Sequence, residues 1–412
     1  MSTTQPDGRG TSNRGTRNRV PVGIVAALSG VALTGPLATD LYLPAFPQMA
    51  QDLGAPEARV QLTLTAMMVG MALGQLLLGP CSDALGRRRL LLSGIGVFAA
   101  VSFLCAVAPS AEVLVALRFL QGAAGAAGAV LSRAVVRDLY TGDDAARLFT
   151  RLMMVTSLAP VIGPPLGAQL LMVGPWQLCF VALGLLGLVN LVMVWSGIPE
   201  TLPEDRRTPL RLGPLLGNIG RLLRDPRFLA PMFALGLSYA AMFTYISSFS
   251  FVSQNELGAT PAQFGLIFPL NAAMLILANQ INSVLIGRMG TPARLSIGLA
   301  LGPAAVAALI ALQVFGEPTL VSVAGVLLLL MFSMGFVFPN ATTLALSEQS
   351  ASVAGTGSAL MGTMQFALGG GLSALAGLTA TGGATLVSMT VVMAATGVLG
   401  TALFLLFRRF GA

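Results

Sequence analysis

A chain of 412 residues that is 55% hydrophobic and only 9% charged, with a mean hydropathy of +0.81, cannot fold as a soluble globule without exposing large apolar surface. A net charge of +7 would suit nucleic acid if it were gathered in one domain, but the 23 basic residues, all arginine, are scattered over short polar segments, so that role is excluded. The bilayer is the expected solvent.

An α-helical span needs roughly 20 apolar residues. Twelve stretches reach that length, near 20–44, 60–79, 90–108, 112–133, 150–173, 177–197, 229–252, 264–287, 295–315, 319–343, 354–379 and 384–407. The stretch before the first is polar and Arg-rich without a small-residue cleavage site, and reads as a cytoplasmic tail, residues 1–19. Of the 23 arginines, 21 lie in that tail, the even-numbered connections or the C-terminal tail, and Arg59 and Arg118 are the exceptions. Positive charge is retained in the cytoplasm during insertion, which predicts both termini inside.

The longest polar interruption, residues 199–228, carries Arg206, Arg207, Arg211, Arg221, Arg224 and Arg227 and reads as a cytoplasmic linker. It divides a six-span half, 20–198, from a second, 229–412. Pro/Gly-rich segments recur at 163–168 in span five and 369–371 in span eleven, which suggests a duplication. The fold class is therefore an all-α membrane protein with twelve transmembrane helices in two six-helix halves around a midplane cavity, as in many secondary transporters. Gly122, Gly125 and Gly128 are spaced for close helix packing in span four. Cys81, Cys105 and Cys179 lie in or beside apolar segments and read as packing residues.

Between spans two and three stands Gly79-Pro80-Cys81-Ser82-Asp83-Ala84-Leu85-Gly86-Arg87-Arg88-Arg89. The run resembles the loop motif of the major facilitator superfamily, and the resemblance implies a latch that joins the halves in the outward-facing state, with Arg87 paired to Asp138. Arg118-Phe119-Leu120-Gln121-Gly122 is similar to the superfamily's Arg-x-x-Gln-Gly motif. Residues 159–168 resemble its antiporter motif around Gly163, Pro164 and Gly167, with Ala159 and Ala168 in place of the first and last glycines. Thr39-Asp40-Leu41-Tyr42-Leu43-Pro44-Ala45-Phe46-Pro47 is similar to the corresponding segment of the bicyclomycin and chloramphenicol resistance (Bcr/CflA) branch of drug:proton antiporters. Further matches to that branch lie at 61–65, 136–140, 238–252 and 354–360. The resemblance implies an efflux transporter of the major facilitator fold, coupled to protons and acting on small amphipathic drug-like substrates such as chloramphenicol or bicyclomycin. A metabolite exporter or importer of the same fold is the alternative.

Proton coupling needs a group that loads and releases a proton, and the chain has neither histidine nor lysine. A carboxylate in a low-dielectric cavity is the remaining chemistry, and Asp40 is the one acidic residue clearly inside a span. An interfacial Asp40 that only caps or hydrogen-bonds is the competing placement. Related multidrug antiporters often carry a second acid two turns earlier, where this chain has Ala32. Arg118, an arginine within an apolar span, reads either as a cavity charge acting on a nearby proton site or as a side chain snorkelling to the interface beside Glu112. Candidate substrate contacts are Tyr42, Gln121, Tyr239, Phe243, Tyr245, Asn271 and Asn279. The conformational motif comprises Gly79, Asp83, Gly86, Arg87, Asp138, Gly163, Pro164 and Gly167. No nucleophile–base set or metal-ligand cluster is apparent, so an enzyme is not expected, nor a cofactor beyond the proton gradient. The expected working unit is a monomer in the lipid bilayer of the bacterial cytoplasmic membrane.

The topology has a direct check. A single cysteine placed near Arg211 should resist an impermeant maleimide in intact cells and react in inside-out vesicles. Labelling from outside would overturn the assignment.

Overall fold

The protein is described by a computed structural model covering residues 22–140, 142–207, 212–347, 349, 351–377 and 383–411. The tail 1–19 lies outside the described residues, as does Glu348. Among the described residues there is no strand, and twelve helices are long and apolar enough to cross a bilayer. They are α1 Gly23–Asp52, α2 Glu57–Leu85, α3 Arg87–Ala106, α4 Ala111–Leu139, α5 Arg147–Val173 and α6 Gln177–Gly197, then α7 Pro226–Glu256, α8 Pro261–Val284, α9 Thr291–Phe315, α10 Leu320–Leu346, α11 Gly355–Gly377 and α12 Leu386–Phe407.

Helix is the form these stretches take because a lipid-exposed backbone must satisfy its own hydrogen bonds. Helix starts carry residues that accept from free amides. Ser110 accepts from Val113 N at 3.4 Å, Asp225 from Arg227 N at 2.9 Å, and Thr260 forms a capping box with Gln263. The α2–α3 turn rests on Gly86, whose φ of +93° belongs to glycine. The linker contains a short helix, Leu212–Leu222, whose last residue is buried in the core of the second half.

In the first half α4 packs against α1, α2 and α3, and α6 against α1 and α3. In the second, α7 packs against α10, α11 and α12. The halves meet along α2 with α11 and α5 with α8. The glycines of α4 do not share one neighbour, because a step of three residues rotates the face by about 60°. A methyl on Gly122 would strike the Met67 carbonyl of α2, one on Gly128 the Val31 carbonyl of α1, and Gly125 faces Phe98 of α3 at 3.5 Å.

The first helix is broken. It is helical through Asp40, turns at 41–42, makes a 3-10 turn at Leu43–Ala45 and resumes at Phe46–Asp52. Pro44 and Pro47 have no amide hydrogen, so the carbonyls of Asp40 and Leu43 lose their helical donors. Around this break one end of the molecule is sealed. Tyr42, Phe46 and Phe251 form a buried chain of rings, with centroids 5.1 and 5.6 Å apart. Across the halves, Ser250 Oγ donates to the Leu43 carbonyl at 2.6 Å, Gln254 Nε2 to Pro44 O at 3.3 Å, Gln61 Nε2 to Ser247 O at 3.4 Å, and Asn255 Nδ2 to Glu57 at 2.7 Å. The opposite end carries most of the arginines and is open between the halves.

α5 reaches the break through its glycines. A methyl on Gly167 would be driven into the Leu41 carbonyl oxygen, and one on Gly163 would lie 3.0 Å from Asp40 Cβ. Gly167→Val should therefore cost about 1–3 kcal/mol of stability. Gly96→Val, where no atom lies within 4 Å, should stay within about 0.5 kcal/mol of the parent. Thermal unfolding of both purified variants checks the contrast, and equal melting temperatures would refute it.

Candidate functional site

A cavity of about 330 Å³ lies between the halves, walled by Ala32, Pro36, Met71 and Gln75 on one side and by Leu235, Met361, Gln365 and Phe366 on the other. Gln75, Arg133 and Ser358 also line a second space of about 510 Å³, which leads past Gly79, Asp83 and Arg137 toward the arginine-rich end. The two form one path with a blind upper end.

Asp40 stands at that blind end. Ala32, Pro36 and Asp40 fall on one face of α1 at four-residue spacing, and the first two line the cavity. Asp40 itself is 7% exposed and has no ion pair among the described residues. Thr39 Oγ1 lies 3.2 Å from its carboxylate and 2.5 Å from Pro36 O. One hydroxyl serves either protonation state: it donates to the ionised carboxylate, or accepts from the protonated acid while donating to Pro36. From α7, Tyr239 lies within electrostatic reach of Asp40.

Arg118 is fully buried and does not snorkel, and Glu112 pairs with Arg59 at 2.8 Å instead. Its Nη2 donates to the Ala38 carbonyl at 2.9 Å and its Nη1 to Gln121. The guanidinium stacks 4.2 Å from the Tyr42 ring centroid and 5.6 Å from that of Phe180. Gln121 in turn donates to Ser102 Oγ at 2.7 Å, and the Tyr42 hydroxyl lies 3.0 Å from Thr63 Oγ1. No carboxylate bonds to Arg118 among the described residues. The arginine grips the backbone two residues before Asp40.

None of the seven candidate substrate contacts lines the cavity in this state. Tyr42 and Gln121 belong to the surroundings of Arg118. Tyr239 and Phe243 stack at 4.6 Å directly behind Phe366, which is 5.8 Å from Tyr239 and forms part of the wall. Tyr245 and Asn271 hydrogen-bond to each other, and Asn279 is exposed on α8. Gln75, Ser132, Arg133 and Gln365 line the cavity and were not anticipated. Their signal in the sequence is the polar residue inside an apolar span.

At the arginine-rich end Arg87 binds Asp83 at 2.6 Å and Asp138 at 3.1 Å, with a further bond to Ser82. Glu200, just beyond α6, accepts from the Arg87 amide at 2.8 Å, and Arg88 donates to Ile198 O and Trp195 O. These partners lie in the first half or, for Glu200, at the start of the linker, and none lies in the second half, so the cluster does not join the halves here. Gly79 and Asp83 instead border the open space, across from Gly355, Thr356 and Ala359 of α11.

The sequence profile described as Major Facilitator Superfamily matches residues 28–374. The chain belongs to the major facilitator superfamily. It is 37% identical over 383 residues to the "Uncharacterized MFS-type transporter YdgK" of Bacillus subtilis, covering 92% of this chain and 93% of the relative. It is 33% identical to the "Bicyclomycin resistance protein homolog" of Haemophilus influenzae, with 84% and 86% covered, and 32% identical to the "Chloramphenicol resistance protein" of Pseudomonas aeruginosa, with 67% and 65% covered. These relatives support membership of the Bcr/CflA branch. A bacterial homologue of the human lysosomal transporter Spinster, solved inward-facing and unoccupied, superposes with a TM-score of 0.73 at 15% identity over 96% of this chain and 98% of its own. That likeness supports the fold alone. The superfamily is one of transporters, and twelve apolar helices make this a multi-pass membrane protein.

The grip of Arg118 is testable apart from transport. Arg118→Ala leaves the Ala38 carbonyl and Gln121 Oε1 without a partner in a dry site and should lower stability by about 1–3 kcal/mol. Arg118→Lys should recover part of it, since one donor survives while the planar fork is lost. An alanine variant as heat-stable as the parent would show that the grip holds nothing.

Proposed function

We propose that this chain is a proton-driven exporter of amphipathic drug-like molecules, in the range of chloramphenicol and bicyclomycin, that works by alternating access in the bacterial cytoplasmic membrane. The observation that carries this reading is a path between the halves, open at the arginine-rich end, with Asp40, the one buried carboxylate among the described residues, at its blind end. Arginine retention supports a cytoplasmic position for the open end and both termini, with the cavity facing the compartment from which a drug is removed. The named bicyclomycin and chloramphenicol resistance relatives agree with that direction.

In this reading Asp40 is the proton carrier, Arg118 a positioning residue that fixes the helix segment bearing it, and the proton gradient the only energy source. The Asp83–Arg87–Asp138 cluster is a latch that closes onto the second half when the cytoplasmic end shuts, and residues 199–228 are the linker between two rigid halves. The working unit is the monomer.

Asp40→Asn holds the site in a form that cannot load or release a proton. Reconstituted in liposomes, this variant should lose uphill accumulation of chloramphenicol, and its substrate binding should become independent of pH, because coupling between proton and substrate is reciprocal. Proton-driven accumulation by Asp40→Asn would place the carrier elsewhere. An efflux-deficient host expressing the parent should gain resistance on a chloramphenicol and bicyclomycin panel, and no gain for either would overturn the drug reading.

A further inference from the structure

The charge of the cavity is unbalanced. Of the 17 described residues that line the 330 Å³ space, Arg133 is the single charged one. Its guanidinium has no ion pair or hydrogen bond among the described residues, unlike those of Arg87, Arg118 and Arg294, each of which is held by named partners. Asp83, which borders the wider space, and Asp138 bond to Arg87, at 2.6 and 3.1 Å, and not to Arg133. Arg137, one turn further along α4, lines the wider space and extends the same sign toward the open end. Asp40 is buried beyond Pro36 and contributes no lining surface.

The remaining wall divides by chemistry. Met71, Leu152, Met361 and Phe366 supply an apolar surface with two adaptable methionines, while Gln75, Ser132, Ser358 and Gln365 supply neutral hydrogen-bonding groups. A positive charge between low-dielectric walls attracts anions more strongly than one on an open surface and repels cations.

We propose that Arg133 is the specificity-determining residue of this cavity and that the cavity takes anionic amphiphiles, molecules with an apolar ring or chain and an acidic head, in preference to cationic ones. The guanidinium receives the acidic head and the methionine- and phenylalanine-lined wall receives the apolar body. The proposal rests on the reading of this cavity as the transport site, and it concerns which charge that site accepts, not how transport is driven.

A pair of ions with nearly one shape isolates the charge. Tetraphenylborate and tetraphenylphosphonium are titrated against the full-length protein in nanodiscs of zwitterionic lipid, with binding to empty nanodiscs subtracted. The wild type should bind the borate at least about tenfold more tightly. Arg133→Gln should bring the two within about twofold, and Arg133→Lys should keep most of the preference because the charge remains. Equal binding by the wild type, a preference for the phosphonium, no binding of either ion above background, or a preference unchanged in Arg133→Gln would each overturn the proposal. The wild-type comparison stands even if Arg133→Gln fails to fold. A preserved borate preference in a protein that confers no drug resistance would sink the efflux reading and leave this one intact.

Discussion

Non-helical backbone inside a bilayer persists only where protein supplies the hydrogen bonds that water cannot, and α1 between Asp40 and Phe46 is such a segment. Each carbonyl left bare there would cost several kcal/mol. The bonds come from separate parts of the chain: Arg118 of α4 serves Ala38, while Ser250 and Gln254 of α7 serve Leu43 and Pro44. Gly163 and Gly167 let the α5 backbone cover what remains, close enough that no side chain fits between. The Arg-x-x-Gln-Gly motif, the Gly/Pro segment of α5 and the serine-rich end of α7 therefore meet at one place. Two of these attachments lie within the first half, and the third crosses to the second half at the sealed end.

The halves repeat their architecture but not their charge. At the start of α9, Arg294 donates to Asn282 Oδ1 at 3.2 Å, and Asn340 of α10 donates to the same oxygen at 2.7 Å. Where Arg87 bonds both carboxylates, Asp83 and Asp138, Arg294 bonds one amide, and the second amide bonds the first. The amide version is buried and closed on itself: Arg294 also bonds Met289 O and Thr291. The first-half cluster instead keeps Asp83 half exposed beside the open cavity. A charged group at the mouth can find a new partner when the mouth closes, whereas a satisfied amide network gains nothing by moving. That asymmetry supports the proposed latch in the first half, with no charged equivalent at Asn282 and Asn340 in the second.

Twelve spans were legible because hydropathy over about 20 residues is a bulk property that survives errors of several residues at each end. The Arg87–Asp138 pairing was legible from the family motif. The lining of the cavity was not, for a physical reason: a transmembrane helix is apolar on every face, so periodicity does not say which face meets lipid and which meets the cavity. Gln75 and Gln365 are polar and inside spans, yet so is Gln121, which spends its hydrogen bonds on Arg118 and Ser102. Tyr42 looks like a substrate contact for the same reason it stacks on Arg118, being an aromatic ring near a charge. Glu200 escaped notice because it lies in a polar connection 113 residues from the Arg87 amide it accepts from.

The geometry of α1 supplies a route by which proton and substrate can act on one another without touching. Ala32 and Pro36 form cavity wall, Asp40 follows one turn later, and Leu43 and Pro44 then carry the bonds of the closed end. A molecule filling the cavity presses on the same helix face whose far end is held by Ser250 and Gln254. A proton on Asp40 changes which atom the Thr39 hydroxyl serves, at the last helical turn before the break. In the proposed transport cycle both events would bias one element, attached to α7 or released from it, and that is the physical requirement for coupling between separate sites. Arg118 then matters to coupling through rigidity, because it ties Ala38 to α4 and so passes a disturbance at Asp40 to the 41–44 turn in place of the helix below. The carboxylate does not need to lie in the substrate's path for the exchange to work. It needs only to share the broken helix with it.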